Sequence, residues 1–213
     1  GGGWDGFRGT PQLVRMFDYQ DNSNPKANEI LDKRGIFYDK NRSIDITTSV
    51  TGTFTTEGWS VYKYTNIRSD GQPGSNTTFP DTDFPMFRLA DIYLMYAEAV
   101  ARGGQGGSLA TAVEYVNALR KRAYGNTSHE VNEAWLTENN YRNLLDERCR
   151  ELYWEGTRRT DLIRYGLFTS ADYLWTFKGG VLGGTGVSNR YNVFPIPTTD
   201  LSVNGNLKQN EGY

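Results

Sequence analysis

The sequence predicts a mainly α-helical protein, a tetratricopeptide-like α–α superhelix with a loop-rich, partly β N-terminal region. Three observations carry this. Residues 88–123 hold two apolar stripes at helical spacing, separated by Gly103-Gly104-Gln105-Gly106-Gly107. Residues 137–166 are dense in charge, yet their apolar residues keep the same helical beat. Residues 1–85 instead carry short alternating stretches between turn-forming residues. The chain is expected to divide into 1–85 (short strands, loops and one short helix), 86–170 (helical core) and 171–213 (extended tail). All three belong to one structural unit, itself part of a longer chain.

In order along the chain, Gly1-Gly2-Gly3-Trp4-Asp5-Gly6-Phe7-Arg8-Gly9 is a glycine-rich segment with two aromatics. Thr10 is placed to cap a short helix that starts at Pro11 and carries Leu13, Val14 and Phe17. Ile36-Phe37-Tyr38, Ser43 to Thr48 and Trp59 to Tyr64 read as strands. Gly71 to Asn76 reads as a loop. In the first long helix Leu89, Ile92, Tyr93, Tyr96 and Val100 form an apolar face, and Ala90, Ala97, Ala99 and Ala101 permit close approach of a neighbour. Ser108 caps the second, where Leu109, Val113, Val116 and Leu119 continue the pattern. Two antiparallel helices joined by a short glycine-rich loop form one unit of a helical repeat, without a strict repeat consensus.

In the charged run, Tyr141, Leu144, Leu145, Cys149, Leu152 and Tyr153 fall on one stripe. Thr137 is the expected N-cap and Gly156 the expected stop, with a shorter helix from Thr157 to Gly166. Charge alone would make this a solvated helix. The interleaved aromatics favour packed stems whose charged heads find partners. Beyond residue 171, Gly179 to Gly186 is expected to be a loop, and Phe194-Pro195-Ile196-Pro197 must be extended.

Composition excludes several classes. A net charge of −2, from 23 basic and 25 acidic residues, leaves no basic stripe for nucleic acid and no polybasic patch for anionic lipid. One Cys forms no internal disulfide, and no run is apolar enough to span a bilayer. The opening Gly1 carries no initiator Met, so the chain is expected to be a piece of a longer one. The 14% aromatic content, with five Trp and fourteen Tyr, suits either sugar handling or an aromatic core.

Several motifs together resemble the SusD/RagB family of surface glycan-binding lipoproteins. Glu147, Arg148, Glu151, Glu155, Gly156, Arg158, Asp161, Leu162, Arg164 and Gly166 match its E-R-R-x-E, E-G-x-R-x-x-D-L and R-W-G signature. Cys149, Arg159-Thr160 and Tyr165 depart from it locally. Arg88, Asp91, Leu94, Ala97, Glu98 and Ala99 match R-x-x-D-x-x-L-x-x-A-E-A, and Asn117, Arg120, Arg122 and Ala123 the next segment. Gly3-Trp4, Asp32-Arg34 and Lys63-Tyr64 follow the family order more weakly. The end, Asn204 to Tyr213, matches except for Gly205 and Glu211 where Pro is usual. The resemblance implies a SusD-like fold and non-catalytic binding of oligosaccharide at the outer membrane surface. It also implies delivery to a SusC-like TonB-dependent transporter, and a lipid anchor in an N-terminal part absent here. A helical scaffold for a protein partner, without a sugar site, is the alternative.

A glycosidase needs two carboxyl groups about 5–10 Å apart, one of them able to hold a proton. Glu98, Glu147, Glu151, Glu155 and Asp161 lie among arginines, which hold carboxylates ionised. Arg88, Asp91, Glu98, Arg120, Arg148, Glu151, Glu155, Arg158 and Asp161 are therefore expected to form a structural ion-pair network, with Arg158 and Asp161 reaching Glu98 or Glu155. No catalytic residue, metal site or cofactor is expected: His129 stands alone in a polar stretch, Cys149 lies on the apolar stripe, and the Gly179–Gly186 run lacks the phosphate-loop Lys. The expected sugar-site residues are Trp4, Asp5 and Arg8, with Trp59 and Tyr62, because a pyranose face stacks on an aromatic ring while its hydroxyls take polar neighbours. Trp135 and Trp154 read as packing residues.

Overall fold

The computed structural model describes residues 7–48 and 55–213. Trp4 and Asp5 lie outside the described residues. The chain forms two compact units, residues 1–158 and 159–213.

In the first unit, β1 (Arg8–Gly9) pairs antiparallel with β3 (Trp59–Val61), which pairs antiparallel with β2 (Phe37–Tyr38), giving the order β1-β3-β2. Between β1 and β2 runs α1 (Pro11–Val14), with Thr10 accepting from Leu13 N at 3.4 Å and Pro11 in the first turn. The chain enters β3 through Gly58, whose φ of +71° suits glycine; a Cβ there would meet Ile46 at 2.8 Å and Arg8 at 2.9 Å. Ser43 to Thr48 forms no strand. Ser43 makes a single bridge to Glu57, and the backbone of Thr47 bonds the Glu57 carboxylate at 3.0 Å instead of a neighbouring strand.

One side of this small sheet closes a core of Val14, Phe17, Tyr19, Phe37, Trp59 and Tyr153. The rings meet edge-on or tilted, Phe17 to Tyr153 at 5.5 Å and Phe37 to Trp59 at 6.1 Å. Tyr153 also fastens the sheet to the helices: its hydroxyl donates to Arg34 O at 2.6 Å and accepts from Ile36 N at 3.2 Å.

The helical part begins with α2 (Leu89–Ala101) and α3 (Leu109–Tyr124), the expected hairpin broken at Gly103–Gly107. Ser108 caps α3 by accepting from Thr111 N at 3.1 Å, and Gly125 ends it with φ +74°. Tyr93 stacks on Tyr115 at 4.2 Å. The face that α2 buries only partly coincides with the expected one: Tyr93 and Tyr96 pack against the core. Ala90, Leu94 and Ala97 are buried against Ala112, Val116 and Leu119, while Leu89 and Ile92 are exposed. The helix is apolar around most of its circumference, so periodicity left the inward face open. The small residues decide it, because only they let the backbones approach closely.

α4 (Glu133–Thr137) follows, capped by Asn132, and adds Leu136 to this core. Thr137 therefore ends a helix instead of capping the next. Asn139, Asn140 and Tyr141 adopt left-handed φ values, and α5 (Arg142–Leu152) starts only after them. It stops at Leu152, before Gly156, since Tyr153 is not helical and Trp154 is left-handed.

The second unit contains most of α6 (Arg158–Arg164), 3-10 turns at Lys178–Gly180 and Asn189–Asn192, and α7 (Thr198–Val203), a helix not expected from the sequence. The glycine-rich stretch after Lys178 is not a free loop. The buried Lys178 ammonium donates to the carbonyls of Leu167 at 3.2 Å, Ser170 at 2.5 Å and Tyr173 at 2.7 Å, and lies 4.5 Å from the Trp175 ring centre. The extended Phe194–Pro197 segment is held by the tail: Ile196 N donates to Gln209 Oε1 at 2.8 Å, and Gln209 Nε2 donates back to Ile196 O at 2.9 Å.

Candidate functional site

Residues directly opposite each other in antiparallel strands project to the same side of a sheet. Arg8 and Tyr38 both face Ser60 across the sheet, and Tyr62 N bonds Ile36 O at 2.9 Å, which continues the register. Alternation along the chain therefore sends Gly9, Phe37, Trp59 and Val61 inward and Arg8, Ile36, Tyr38, Ser60 and Tyr62 outward. The side-chain environments agree. Trp59 is 3% exposed, whereas Tyr38 is 45% and Tyr62 48% exposed. Arg42 lies 6.0 Å from the Tyr38 ring centre. Ser60 Oγ is buried without a hydrogen-bond partner among the described residues.

This outer face is an aromatic and polar surface on a rigid element. Two tyrosine rings sit on diagonal positions of adjacent strands, at a Cβ spacing of about 7–8 Å in ordinary sheets, with Arg8 and Ser60 beside them. Of the expected sugar-site residues, Arg8 and Tyr62 thus come to one surface, with Arg8 also donating to Glu57 O at 3.2 Å. Trp59 is corrected to a core residue, because its strand position turns it inward and it offers no ring face to a ligand. Tyr38 was not singled out by the sequence; its place in β2 opposite Ser60 was the available signal. Trp154, read as packing, is 45% exposed and meets Phe7 edge-on at 6.1 Å.

A second feature lies where α2, α3 and α5 meet the segments around residues 33 and 63. Glu147 is fully buried and accepts from three arginines: Arg34 at 2.7 Å, Arg120 at 2.7 Å and Arg150 at 2.8 Å. Arg34 is itself clamped by Asp32 at 2.6 Å. One turn on, Glu151 takes Arg88 at 2.8 Å, Arg122 at 2.5 Å and Arg34 at 3.2 Å. Glu155 takes Lys63 at 2.5 Å and Arg88 at 2.9 Å. Glu147 and Glu151 lie one turn apart on the same face of α5, and Glu155, just past the helix end, meets Glu151 through their shared partner Arg88. Four anions (Asp32, Glu147, Glu151, Glu155) meet six cations (Arg34, Lys63, Arg88, Arg120, Arg122, Arg150), and Lys33 lines the cleft above them.

Of the residues expected in an ion-pair network, Arg88, Arg120, Glu151 and Glu155 meet here, and Arg148 pairs with Asp91 at 2.7 Å. Glu98 takes Arg102 at 2.9 Å. Arg158 donates to Leu145 O at 3.0 Å and lies 3.9 Å from Asp146, while Asp161 takes Arg164 at 2.9 Å. The centre of the network, Glu147 with Arg34, was not assigned to it from the sequence. Asp32-Arg34 and Lys63-Tyr64 were the signals, since each sits far from α5 in sequence yet supplies its counter-charges.

Burial opposes ionisation of Glu147 and Glu151. The arginines overcome it: Arg150, Arg34 and Arg120 hold the Glu147 carboxyl well below the usual carboxylate range, and Arg88 and Arg122 lower that of Glu151. Neither group is a proton donor near neutral pH. Because the folded values lie below the unfolded one of about 4.5, the unfolded chain takes up more protons in acid. The stabilisation is complete above that value and is lost as pH falls through the folded ones. Two such groups give a slope of up to about 2.7 kcal/mol per pH unit. Calorimetric unfolding between pH 7 and 2 should show a nearly flat melting temperature above pH 5 and a steep fall below pH 4. An unchanged melting temperature at pH 3 would contradict the assignment.

Among the described residues, no group of His, Cys, Asp and Glu is arranged to hold a metal ion, and no helix is long and apolar enough to cross a membrane. His129 stacks on Tyr124 at 3.8 Å, and Cys149 is buried and unpaired as a disulfide.

Comparison with known proteins follows the same pattern. The Starch-binding protein SusD of Bacteroides thetaiotaomicron is 50% identical over 158 residues, 74% of this chain and 26% of that protein. SusD-like protein P25 of Formosa agariphila is 35% identical over 138 residues, 60% of this chain and 24% of that protein. The crystal structure of a SusD-like protein from Bacteroides fragilis superposes with a TM-score of 0.63 at 20% identity, over 99% of this chain and 48% of that one. The chain spans about a quarter of the length of the curated relatives it matches. The fold is thus mainly α and SusD-like, with the small sheet at its side. A family model described as the SusD family matches residues 46–213, so this chain belongs to the SusD family.

Proposed function

We propose that the chain is part of a non-catalytic glycan-binding protein of an outer membrane surface. The outer face of the β1-β3-β2 sheet, carrying Arg8, Tyr38, Ser60 and Tyr62, is its contribution to the oligosaccharide site. The observation that carries this is the placement of two half-exposed tyrosines with Arg8 on one face of the sheet. Tyrosine rings stack on the apolar face of a pyranose, and an Arg side chain takes its hydroxyls. Trp4 and Asp5, three and two residues before Phe7 in the sequence, are proposed for the same site. The name of the Bacteroides relative, a starch-binding protein, supports a neutral glucan as the first ligand to try. Glu147 and Glu151, held ionised, favour binding without a hydrolytic step. Delivery to a SusC-like TonB-dependent transporter and a lipid anchor in an N-terminal part complete the reading.

Calorimetric titration with maltooligosaccharides tests it. Tyr62→Ala should weaken binding about tenfold, since an aromatic contact contributes about 0.5–1.5 kcal/mol beyond area burial and 1.4 kcal/mol is one decade. Tyr38→Ala and Trp4→Ala should act similarly, and an exposed ring should leave stability within about 0.5 kcal/mol. Wild-type affinity in all three variants would overturn the site. No sugar binding, by this chain or by a longer chain containing it, would favour a helical scaffold for a protein partner, for which Leu89, Ile92 and Met95 expose an apolar side of α2.

A further inference from the structure

Above the ion-paired carboxylates Glu151 and Glu155 lies a cleft of about 360 Å³, lined among others by Lys33, Ile36, Tyr64, Pro85 and Arg122. We propose that this cleft is a second binding site, for an acidic sugar unit: a hexose ring bearing a carboxylate or a sulfate.

Charge is the first argument. The cleft is lined by five cations (Lys33, Arg34, Lys63, Arg88, Arg122) and two carboxylates (Glu151, Glu155), a local excess of three positive charges in a chain whose net charge is −2. Such an excess in a concave site attracts an anion. Donor accounting is the second. Lys63 Nζ is committed to Glu155 Oε1 and to the carbonyls of Glu151 and Tyr153. All three nitrogens of Arg88 bond the Glu151 and Glu155 side of the floor. The rim differs. Lys33 is exposed, and its ammonium has no ion-pair or hydrogen-bond partner recorded among the described residues. Arg122 gives one nitrogen to Glu151, at 2.5 Å, and its side chain is 54% exposed. The remaining guanidinium donors of Arg122 and the ammonium of Lys33 are thus free to take an oxyanion.

Shape is the third. The cleft falls within the volume range of small-ligand sites, about 300–1,000 Å³. Its wall combines the Tyr64 ring with Ile36 and Pro85, an apolar edge suited to the face of a sugar ring. Burial raises the Tyr64 hydroxyl above its ordinary value, so it stays a donor at neutral pH. A bare inorganic anion would use only the cationic rim; a uronate would use both sides.

Titration of the chain with glucuronate, galacturonate, glucose and inorganic sulfate, followed by NMR or calorimetry at low and high salt, tests the proposal. Glucuronate or galacturonate should bind at least about tenfold more tightly than glucose, more weakly at high salt, and more tightly than sulfate. Lys33→Gln should reduce that binding by about tenfold without a change in melting temperature, and Tyr64→Leu should reduce the preference for the uronate over sulfate. Equal binding of glucose and glucuronate, or full binding by Lys33→Gln, would overturn the site. Sulfate matching the uronates would overturn the sugar part of it. Failure here leaves the neutral-oligosaccharide site intact, because that one is read through Tyr62 and Tyr38, which do not line this cleft.

Discussion

Replacing Glu147 with Ala should destabilise the protein by about 3–5 kcal/mol, the range for breaking a buried ion pair from one side. Glu147 has no exposed surface, and its carboxylate is the common partner of Arg34, Arg120 and Arg150. Its removal leaves three guanidinium groups crowded with less negative charge among them. Arg34 keeps Asp32 and Glu151, so the heaviest loss falls on Arg120 and Arg150. Glu147→Gln separates charge from volume: the amide keeps the shape and loses the charge, and it should cost nearly as much. Arg122→Ala is the control. Its side chain is 54% exposed, and Glu151 retains Arg88 and Arg34. About 0–1 kcal/mol is expected there. Urea unfolding of the three variants gives the comparison. A Glu147→Gln protein within about 0.5 kcal/mol of wild type would mean that the charge is not what holds this site.

Trp59→Ala should cost about 3–5 kcal/mol, as for other buried aromatic truncations. The indole is 3% exposed and contacts the rings of Phe37 at 6.1 Å and Tyr19 at 6.2 Å. The cavity would open beneath the central strand, so the sheet that carries Arg8, Tyr38 and Tyr62 should loosen with it. The contrast with Tyr62→Ala is diagnostic. Tyr62 is two places from Val61's neighbour Ser60 and faces outward, so its loss should lower sugar affinity and leave the unfolding midpoint nearly unchanged. A Trp59→Ala protein of wild-type stability with weakened sugar binding would reverse the two roles and place Trp59 in the binding surface.

These two residues mark how far the sequence could be read. The helical hairpin at 89–124 was legible, because Ser108 as a cap and the glycine break at 103–107 are local signals with local causes; its end at Gly125 was not singled out. Of α5, the helix was legible but its start was not. Asn139, Asn140 and Tyr141 take left-handed backbone angles that nothing in the apolar pattern requires. The short strands were partly legible: Phe37–Tyr38 and Trp59–Val61 form where alternation put them, while Ser43–Thr48 alternates and pairs with no strand, its backbone donors captured by Glu57. Within the candidate sugar surface, Arg8 and Tyr62 were readable as exposed polar and aromatic residues. Tyr38 was not, for its role depends on the strand that pairs beside it.

By itself the sequence determined the family, the hairpin with its caps, and the fact that the charges of the α5 run would be paired. Those follow from residue types at fixed spacing along one helix or one turn. Only the tertiary structure decided which partners they have and which way each ring points. Arg34 reaches Glu147 across 113 residues of chain, and Trp59 turns inward while Tyr62 turns outward because of a register set by β1 and β2. Both are long-range outcomes: a salt bridge between distant segments and a sheet register are fixed by how the whole unit closes its core, and neither leaves a periodic trace in the sequence.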